Sequence, residues 1–170
     1  MWIRQYLNKK RIGIIKQFLG CNLADLDLGA GKSTKANISL DINRDFKPHI
    51  VADVQCLPIK SESVKSIVCS HIIEHLEDAN EAMAEIKRVL MKDGVAVFFL
   101  PDDGSALWRM INPIWTVYYE KAVSKQDSPR THLNSFNYKS FQEFLRTLFK
   151  HVETGKINCG MEIYAVCKVG

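Results

Sequence analysis

Six residues in the first 70 positions have the types and order of a ligand site. Asp27, Gly29, Gly31, Asp41, Asp53 and Ser70 fall at or beside the ends of four short apolar runs: Leu23–Leu28, Ile38–Leu40, His49–Ala52 and Val64–Cys69. If these runs are parallel strands, the six residues line up along the C-terminal edge of one sheet, where open α/β sheets bind ligands. Glycine turns the backbone tightly and lets a ligand approach main-chain N–H groups without a Cβ in the way. A carboxylate at the tip of the next strand, here Asp41, accepts from ribose hydroxyls. Asp53 is placed to accept from the amino group of a base. Together they describe a nucleoside-type cofactor, with backbone donors for a carboxylate at its other end. Taken singly each has a plain structural use, since glycines turn chains and aspartates cap loops. The ordered set carries the reading.

Two rival chemistries fail on spacing. Gly31-Lys32-Ser33 supplies the second half of a P-loop, but the first half needs glycine five residues earlier, and that residue is Leu26. Only Lys32 to Asn37 separate the turn from the next run, about one helical turn, so no helix of useful length follows to aim its N-terminus at phosphates. His71-Ile72-Ile73-Glu74-His75 matches the H-x-x-E-H pattern of inverted zinc peptidases. That pattern needs both histidines on one well-formed helix and a third protein ligand. His71 directly follows a strand-like run, so a strand-to-helix turn is expected there, and no metal is assigned.

The elements that must position these residues follow from periodicity. Residues 2–19 read as an amphipathic helix with Trp2, Ile3, Tyr6, Leu7, Ile14, Ile15, Phe18 and Leu19 at helical spacing. Residues 79–91 read as a second helix, capped by Asp78 and stopped by Asp93-Gly94. Val95–Leu100 is a near-continuous apolar run, the signature of a strand buried on both faces. Asn137 caps a helix whose apolar face is Phe141, Phe144, Leu145, Leu148 and Phe149. His151–Ile157 and Met161–Val169 form a hairpin through Asn158-Cys159-Gly160. The expected fold is α/β, a mostly parallel sheet with helices on both faces that finishes with one antiparallel pair. Residues 102–132 interrupt the rhythm with Trp108, Trp115, Tyr118 and Tyr119, and with the Ser128–Asn137 loop they are expected to form a functional pocket or lid.

At 170 residues the chain is expected to be one domain, residues 1–170, with an N-terminal amphipathic helix at 1–20. The formal charge of +4 does not by itself indicate nucleic acid, and no apolar run is long enough to cross a membrane. The basic N-terminus lacks the unbroken apolar stretch of a signal peptide. Five cysteines without a C-x-x-C pair point to free thiols and a cytoplasmic location.

The runs D-L-D-L-G-A-G, L-D-I-N, V-A-D-V-Q-C-L-P, S-I-V-C-S-H-I-I-E-H-L-E-D and E-I-K-R-V-L-M-K-D-G-V together resemble the class I S-adenosylmethionine-dependent methyltransferases. The nearest likeness is to the small single-domain, type 11 kind that often acts on small molecules, lipids or sugars. The likeness is strong over residues 22–101 and continues as pattern over 131–169. It implies a Rossmann-like, seven-stranded sheet with a reversed C-terminal strand, in agreement with the hairpin. It implies that Gly29, Ala30 and Gly31 contact the methionine part of S-adenosylmethionine through their backbone, with Asp27 beneath its amino group. Asp41 would hold the ribose hydroxyls, Ile42 pack on the adenine, Asp53 accept from the adenine amino group and Val54 approach its ring nitrogen. Ser70 would bound the methionine side near the reactive methyl. The sequence departs from the pattern at Ser33, where a third glycine is frequent, and in the very short first helix.

Methyl transfer requires a general base only where the acceptor must lose a proton. His71, His75 and His132 are the candidates because histidine titrates nearest neutral pH, and His71 lies nearest the reactive edge. The expected activity is methyl transfer to a small-molecule, lipid or sugar acceptor. Two other classes fit the same residues: a cofactor-binding but inactive partner subunit, and a nucleic-acid or membrane-surface module built on the basic N-terminal helix.

Overall fold

The computed structural model of the chain describes residues 2–20, 23–32, 35–113 and 133–170. Seven strands form one sheet: Ala24–Leu28 (β1), Ala36–Asp41 (β2), Ile50–Val51 (β3), Val64–Ser70 (β4), Leu90–Pro101 (β5), His151–Ile157 (β6) and Glu162–Lys168 (β7). Their order is β3-β2-β1-β4-β5-β7-β6. The pairs among β1 to β5 are parallel, and β7 is antiparallel to both of its neighbours. The expected fold class is therefore observed. The reversal is made by a turn in which Asn158, Cys159 and Gly160 all take positive φ, so β7 folds back between β5 and β6.

Helices cover both faces. On one face, helix α1 (Trp2–Leu19) packs Ile14, Ile15, Phe18 and Leu19 against Val68, Val97, Phe99 and Val166. On the other, α2 (Ala79–Val89) and α4 (Tyr138–Leu148) bury Met83, Ile86, Phe141 and Leu145 with Leu28, Leu40, Ile67, Phe98 and Leu100. Both of these helices start where their caps predict: the Asp78 carboxylate accepts from the N–H groups of Asn80 and Glu81, and Asn137 and Ser140 form a capping box. Residues 106–113 are also helical (α3), beginning five residues after β5 ends.

Two expectations need correction. Helix α2 ends at Val89, not at residue 91, because Leu90 is already extended (φ −66°, ψ 139°) and buried in the core as the first residue of β5. Asp93-Gly94 lies instead in an irregularity of that strand, between the pairs Val64↔Leu90 and Ser66↔Val95. A Cβ on Gly94 would stand 2.8 Å from the Met91 carbonyl oxygen, which is why glycine serves there. The helical turn expected after the glycines is also not seen among the described residues: 29–32 form a turn and β2 begins at Ala36.

No helix among the described residues is long and apolar enough to cross a membrane. The basic N-terminal helix is not a separate module. Its apolar side is part of the second core, and Arg11 is drawn into a network at the sheet edge.

Candidate active site

Strand register brings the candidate residues together. Leu28 pairs with Leu40 on one side and Cys69 on the other, so Gly29, Asp41 and Ser70 each stand one residue beyond the same rung. Asp41 in turn pairs with Val51, which puts Asp53 and Val54 just past the tip of β3. One sheet edge thus carries the glycine turn, two aspartates and the β4 terminus.

The glycine turn is tied to β2 by its own amides. Gly29 and Ala30 both donate to the Leu40 carbonyl oxygen, at 2.8 and 3.1 Å, and Gly31 donates to Asp41 Oδ2 at 2.8 Å. This corrects the expectation of free backbone donors for a carboxylate: all three N–H groups are already used. The turn's carbonyl oxygens are acceptors, a chemistry that suits an ammonium group and not a carboxylate. Gly29 and Gly31 both need glycine's positive φ, +64° and +57°. A Cβ on Gly29 would also meet Ile72 Cδ1 at 2.0 Å, whereas Gly31 has nothing within 4 Å. Gly29→Ala is therefore expected to destabilise by about 2–3 kcal/mol, and Gly31→Ala by about 1 kcal/mol, the cost of the left-handed conformation alone. Urea unfolding of the two variants side by side checks this; equal losses would remove the steric role of Ile72.

Asp27 is fully buried under the turn, and its Oδ2 accepts from the Lys35 N–H at 2.6 Å, with Lys35 Nζ 3.7 Å away. Burial pulls the Lys35 ammonium below its ordinary pKa, and the Asp27 charge opposes that. The chain thus supplies its own ammonium to this carboxylate. Lys35 gave no sequence signal, being one more cation in a basic stretch.

At the tip of β2, Asp41 is 7% exposed and its two oxygens accept one backbone N–H each, from Gly31 and Asn43. A carboxylate oxygen has two acceptor sites, so one on each remains for hydroxyl donors. Ile42 beside it is 57% exposed, an apolar side chain left uncovered at the tip of β2. Asp53 is exposed, with Oδ1 accepting from Gln55 N–H at 2.9 Å. Val54 is buried, and its N–H makes no hydrogen bond among the described residues.

At the end of β4, Ser70 is buried and its hydroxyl has no hydrogen-bond partner among the described residues. His71 takes a positive φ of 57° and anchors its N–H on the Phe99 carbonyl oxygen at 2.8 Å. That backbone turn swings the ring toward β7. Its Nδ1 lies 3.2 Å from Glu74 Oε1, and its Nε2 lies 3.0 Å from Glu162 Oε1 and 2.7 Å from Arg11 Nη2. Arg11 Nε also donates to Glu162 Oε1 at 2.6 Å, and Asn158 donates to Glu162 Oε2. Burial and the Arg11 charge lower the proton affinity of His71, but the hydrogen bonds to Glu162 and Glu74 prevail and its pKa is raised. Burial pushes the Glu162 carboxyl up, but His71 and then Arg11 outweigh it and hold the pKa at about 2.

Sequence reasoning missed Arg11 and Glu162, which lie 60 and 91 residues from His71. His132 lies outside the described residues, as do Ser33, Trp115, Tyr118 and Tyr119. The segment that follows returns to this edge: Leu133 and Asn134 donate to the Glu74 carbonyl oxygen, at 2.9 and 3.0 Å. Asp103 links the two flanks of the region by accepting from Trp108 Nε1 and the Ser135 hydroxyl. The zinc-peptidase pattern lacks its helix, because Ile73–His75 is a single 3-10 turn.

The comparisons agree with this architecture. Residues 7–98, more than half of the chain, match the family model of the methyltransferase domain. No curated relative matches the sequence. An S-adenosylmethionine-dependent methyltransferase from Thermotoga maritima superposes with a TM-score of 0.66 at 16% identity, over 99% of this chain and 97% of that one. A protein from Pyrococcus horikoshii gives 0.70 at 17% identity, over 97% and 92%. An S-adenosylmethionine-dependent methyltransferase from Archaeoglobus fulgidus gives 0.66 at 15% identity, over 94% and 93%. At these identities the structures establish the fold, and the family model establishes the family. The chain belongs to the methyltransferase domain family and is an S-adenosylmethionine-dependent enzyme.

The residues present fit that cofactor. Spare acceptor sites on Asp41, an uncovered Ile42, an unused Val54 N–H and an unpartnered Ser70 hydroxyl lie along one edge.

Proposed function

We propose that the chain methylates a small-molecule, lipid or sugar acceptor that loses a proton, with His71 as the proton acceptor. The observation that carries this reading is the His71–Glu74 pair at the end of β4. Glu74 is 1% exposed, and the one group within ion-pair distance of its carboxylate among the described residues is His71 Nδ1. The His71 side chain keeps one-third of its surface exposed. A buried carboxylate on one ring nitrogen fixes the tautomer and orients the other nitrogen for proton transfer.

When bound, S-adenosylmethionine supplies an electrophilic methyl group on a sulfonium. The chain must align the acceptor with that methyl, exclude water and remove the acceptor's proton. Asp41 holds the ribose hydroxyls, Ile42 lies against the adenine, and Asp53 with the Val54 N–H reads its polar edge. Gly29, Ala30 and Gly31 face the methionine part with their carbonyl oxygens, above Asp27, and Ser70 bounds it near the methyl. His71 Nε2 receives the proton, and the Glu74 carboxylate 3.2 Å from Nδ1 balances the charge that the ring gains. The 102–113 and 133–137 segments, joined through Asp103 and pinned on Glu74, flank the acceptor side.

The test is methyl transfer from labelled S-adenosylmethionine to a panel of hydroxyl, amine and thiol acceptors across the three classes. His71→Gln is expected to lower kcat by about 100-fold on a hydroxyl acceptor, with little change in cofactor affinity. Unchanged kcat with that acceptor would remove His71 from the chemistry.

A further inference from the structure

Two charged groups meet at one ring nitrogen, and they make incompatible demands on it. Arg11 Nη2 is 2.7 Å from His71 Nε2, and a guanidinium only donates, so this contact requires the nitrogen's lone pair. Glu162 Oε1 is 3.0 Å from the same nitrogen and only accepts, so that contact requires a proton on it. A ring nitrogen offers a lone pair or a proton, never both. Each protonation state therefore makes one of the two contacts at Nε2 and loses the other.

We propose that Arg11 and Glu162 are positioning residues for His71, forming a two-state cap on Nε2: Arg11 donates to the neutral ring, and Glu162 accepts from the protonated ring. The catalytic use of the cap rests on the reading of His71 as the base; the cap itself does not. In the neutral state Nδ1 carries the proton, toward Glu74 Oε1 at 3.2 Å, and Arg11 covers the lone pair. In the protonated state the Nε2–H donates to Glu162, and the ring's charge lies 3.2 Å from the Glu74 carboxylate at Nδ1. Every charged group facing the ring among the described residues is then accounted for: Arg11 from α1, Glu74 from its own turn and Glu162 from β7.

Helix α1 stays fastened through the change. The Arg11 Nε bond to Glu162 at 2.6 Å does not involve the ring, and Asn8 Oδ1 accepts from Arg11 Nη1 at 3.2 Å. Only the Nη2 end must turn aside. In the transfer step the acceptor's X–H bond breaks, its electron pair stays on X to bond the methyl carbon, and the proton forms the new N–H bond at Nε2. Glu162 is already in place to receive that N–H. The device thus shields the lone pair until an acceptor displaces Arg11, then stabilises the imidazolium that results.

Nitrogen-15 NMR of the full chain, labelled at histidine and without cofactor, tests the cap independently of activity. The neutral His71 ring is expected to be the Nδ1–H tautomer. Arg11→Gln is expected to move its titration midpoint up and to raise the Nε2–H fraction of the neutral form. Glu162→Gln is expected to move the midpoint down by about one pH unit or more. An Nε2–H neutral tautomer in the unmodified chain, or midpoints unmoved by both substitutions, overturns the proposal. If Glu162→Gln fails to fold, Arg11→Gln and Arg11→Lys still decide it, because Lys keeps the charge but not the fork. The acid limb of kcat/KM should follow the NMR midpoint in Arg11→Gln. If the midpoint moves and the activity profile does not, the cap stands and His71 is not the base.

Discussion

Asp41→Ala is expected to weaken S-adenosylmethionine binding on the order of 100-fold, read by calorimetry. The loss corresponds to two hydrogen bonds from ribose hydroxyls to a buried carboxylate, about 1.5 kcal/mol each. The same carboxylate accepts from the N–H groups of Gly31 and Asn43, so the alanine variant also loosens the turn and should unfold at lower temperature. Asp41→Asn separates the two effects. An amide keeps one acceptor oxygen, so it should retain more of the fold while losing about tenfold in affinity. Unchanged cofactor affinity in a folded Asp41→Ala variant would displace this residue from the ribose and with it the strand-end arrangement.

Glu162→Ala is expected to cost about 3 kcal/mol, because it strands Arg11 and His71 where their charges are largely removed from water. For a chain of 170 residues that lowers Tm by roughly 6–12 °C. The pH dependence has a definite sign. The Glu162 carboxyl is held at about 2 against an ordinary 4.5, so its contribution is complete above 4.5 and disappears as pH falls toward 2. The His71 pKa is raised, so its contribution is complete below 6.5 and is lost as pH rises through the folded value. The gap between the unmodified chain and Glu162→Ala should therefore be widest near pH 5. It narrows in strong acid, and narrows in part above neutrality, where the Arg11 pair alone remains. Thermal unfolding at pH 3, 5 and 8 checks this; a gap that does not change with pH would remove His71 from the cluster's energetics.

Sequence patterning settled a good deal. Local rules governed the caps at Asp78 and Asn137, the hairpin turn at 158–160 and the buried strand at 95–100, because each depends on residues within a few positions of one another. The strand-end array was legible for a related reason. Asp41 and Ile42, Asp53 and Val54, and Ser70 sit at the ends of three apolar runs, and parallel strands put such ends on one edge. The end of α2 was misjudged because Asp93-Gly94 is a strong local stop signal, while the core claimed Leu90 first.

Tertiary structure alone decided how the groups at that edge are used. The glycine turn promised free amides, yet the register of β1 on β2 points all three at Leu40 and Asp41. His71 could be picked out as a candidate base, but its surroundings could not be read from the chain. Arg11 comes from a helix crossing the opposite face, and Glu162 reaches the same edge only because β7 runs antiparallel. A charge on a helix and a charge on a strand carry no mark in sequence of the partner they will meet. The sequence by itself therefore determined the class of fold and which residues share the strand-end edge, since both follow from local periodicity and strand order. The surroundings of His71 were decided by contacts between residues 60 to 151 positions apart, which exist only once the sheet has closed.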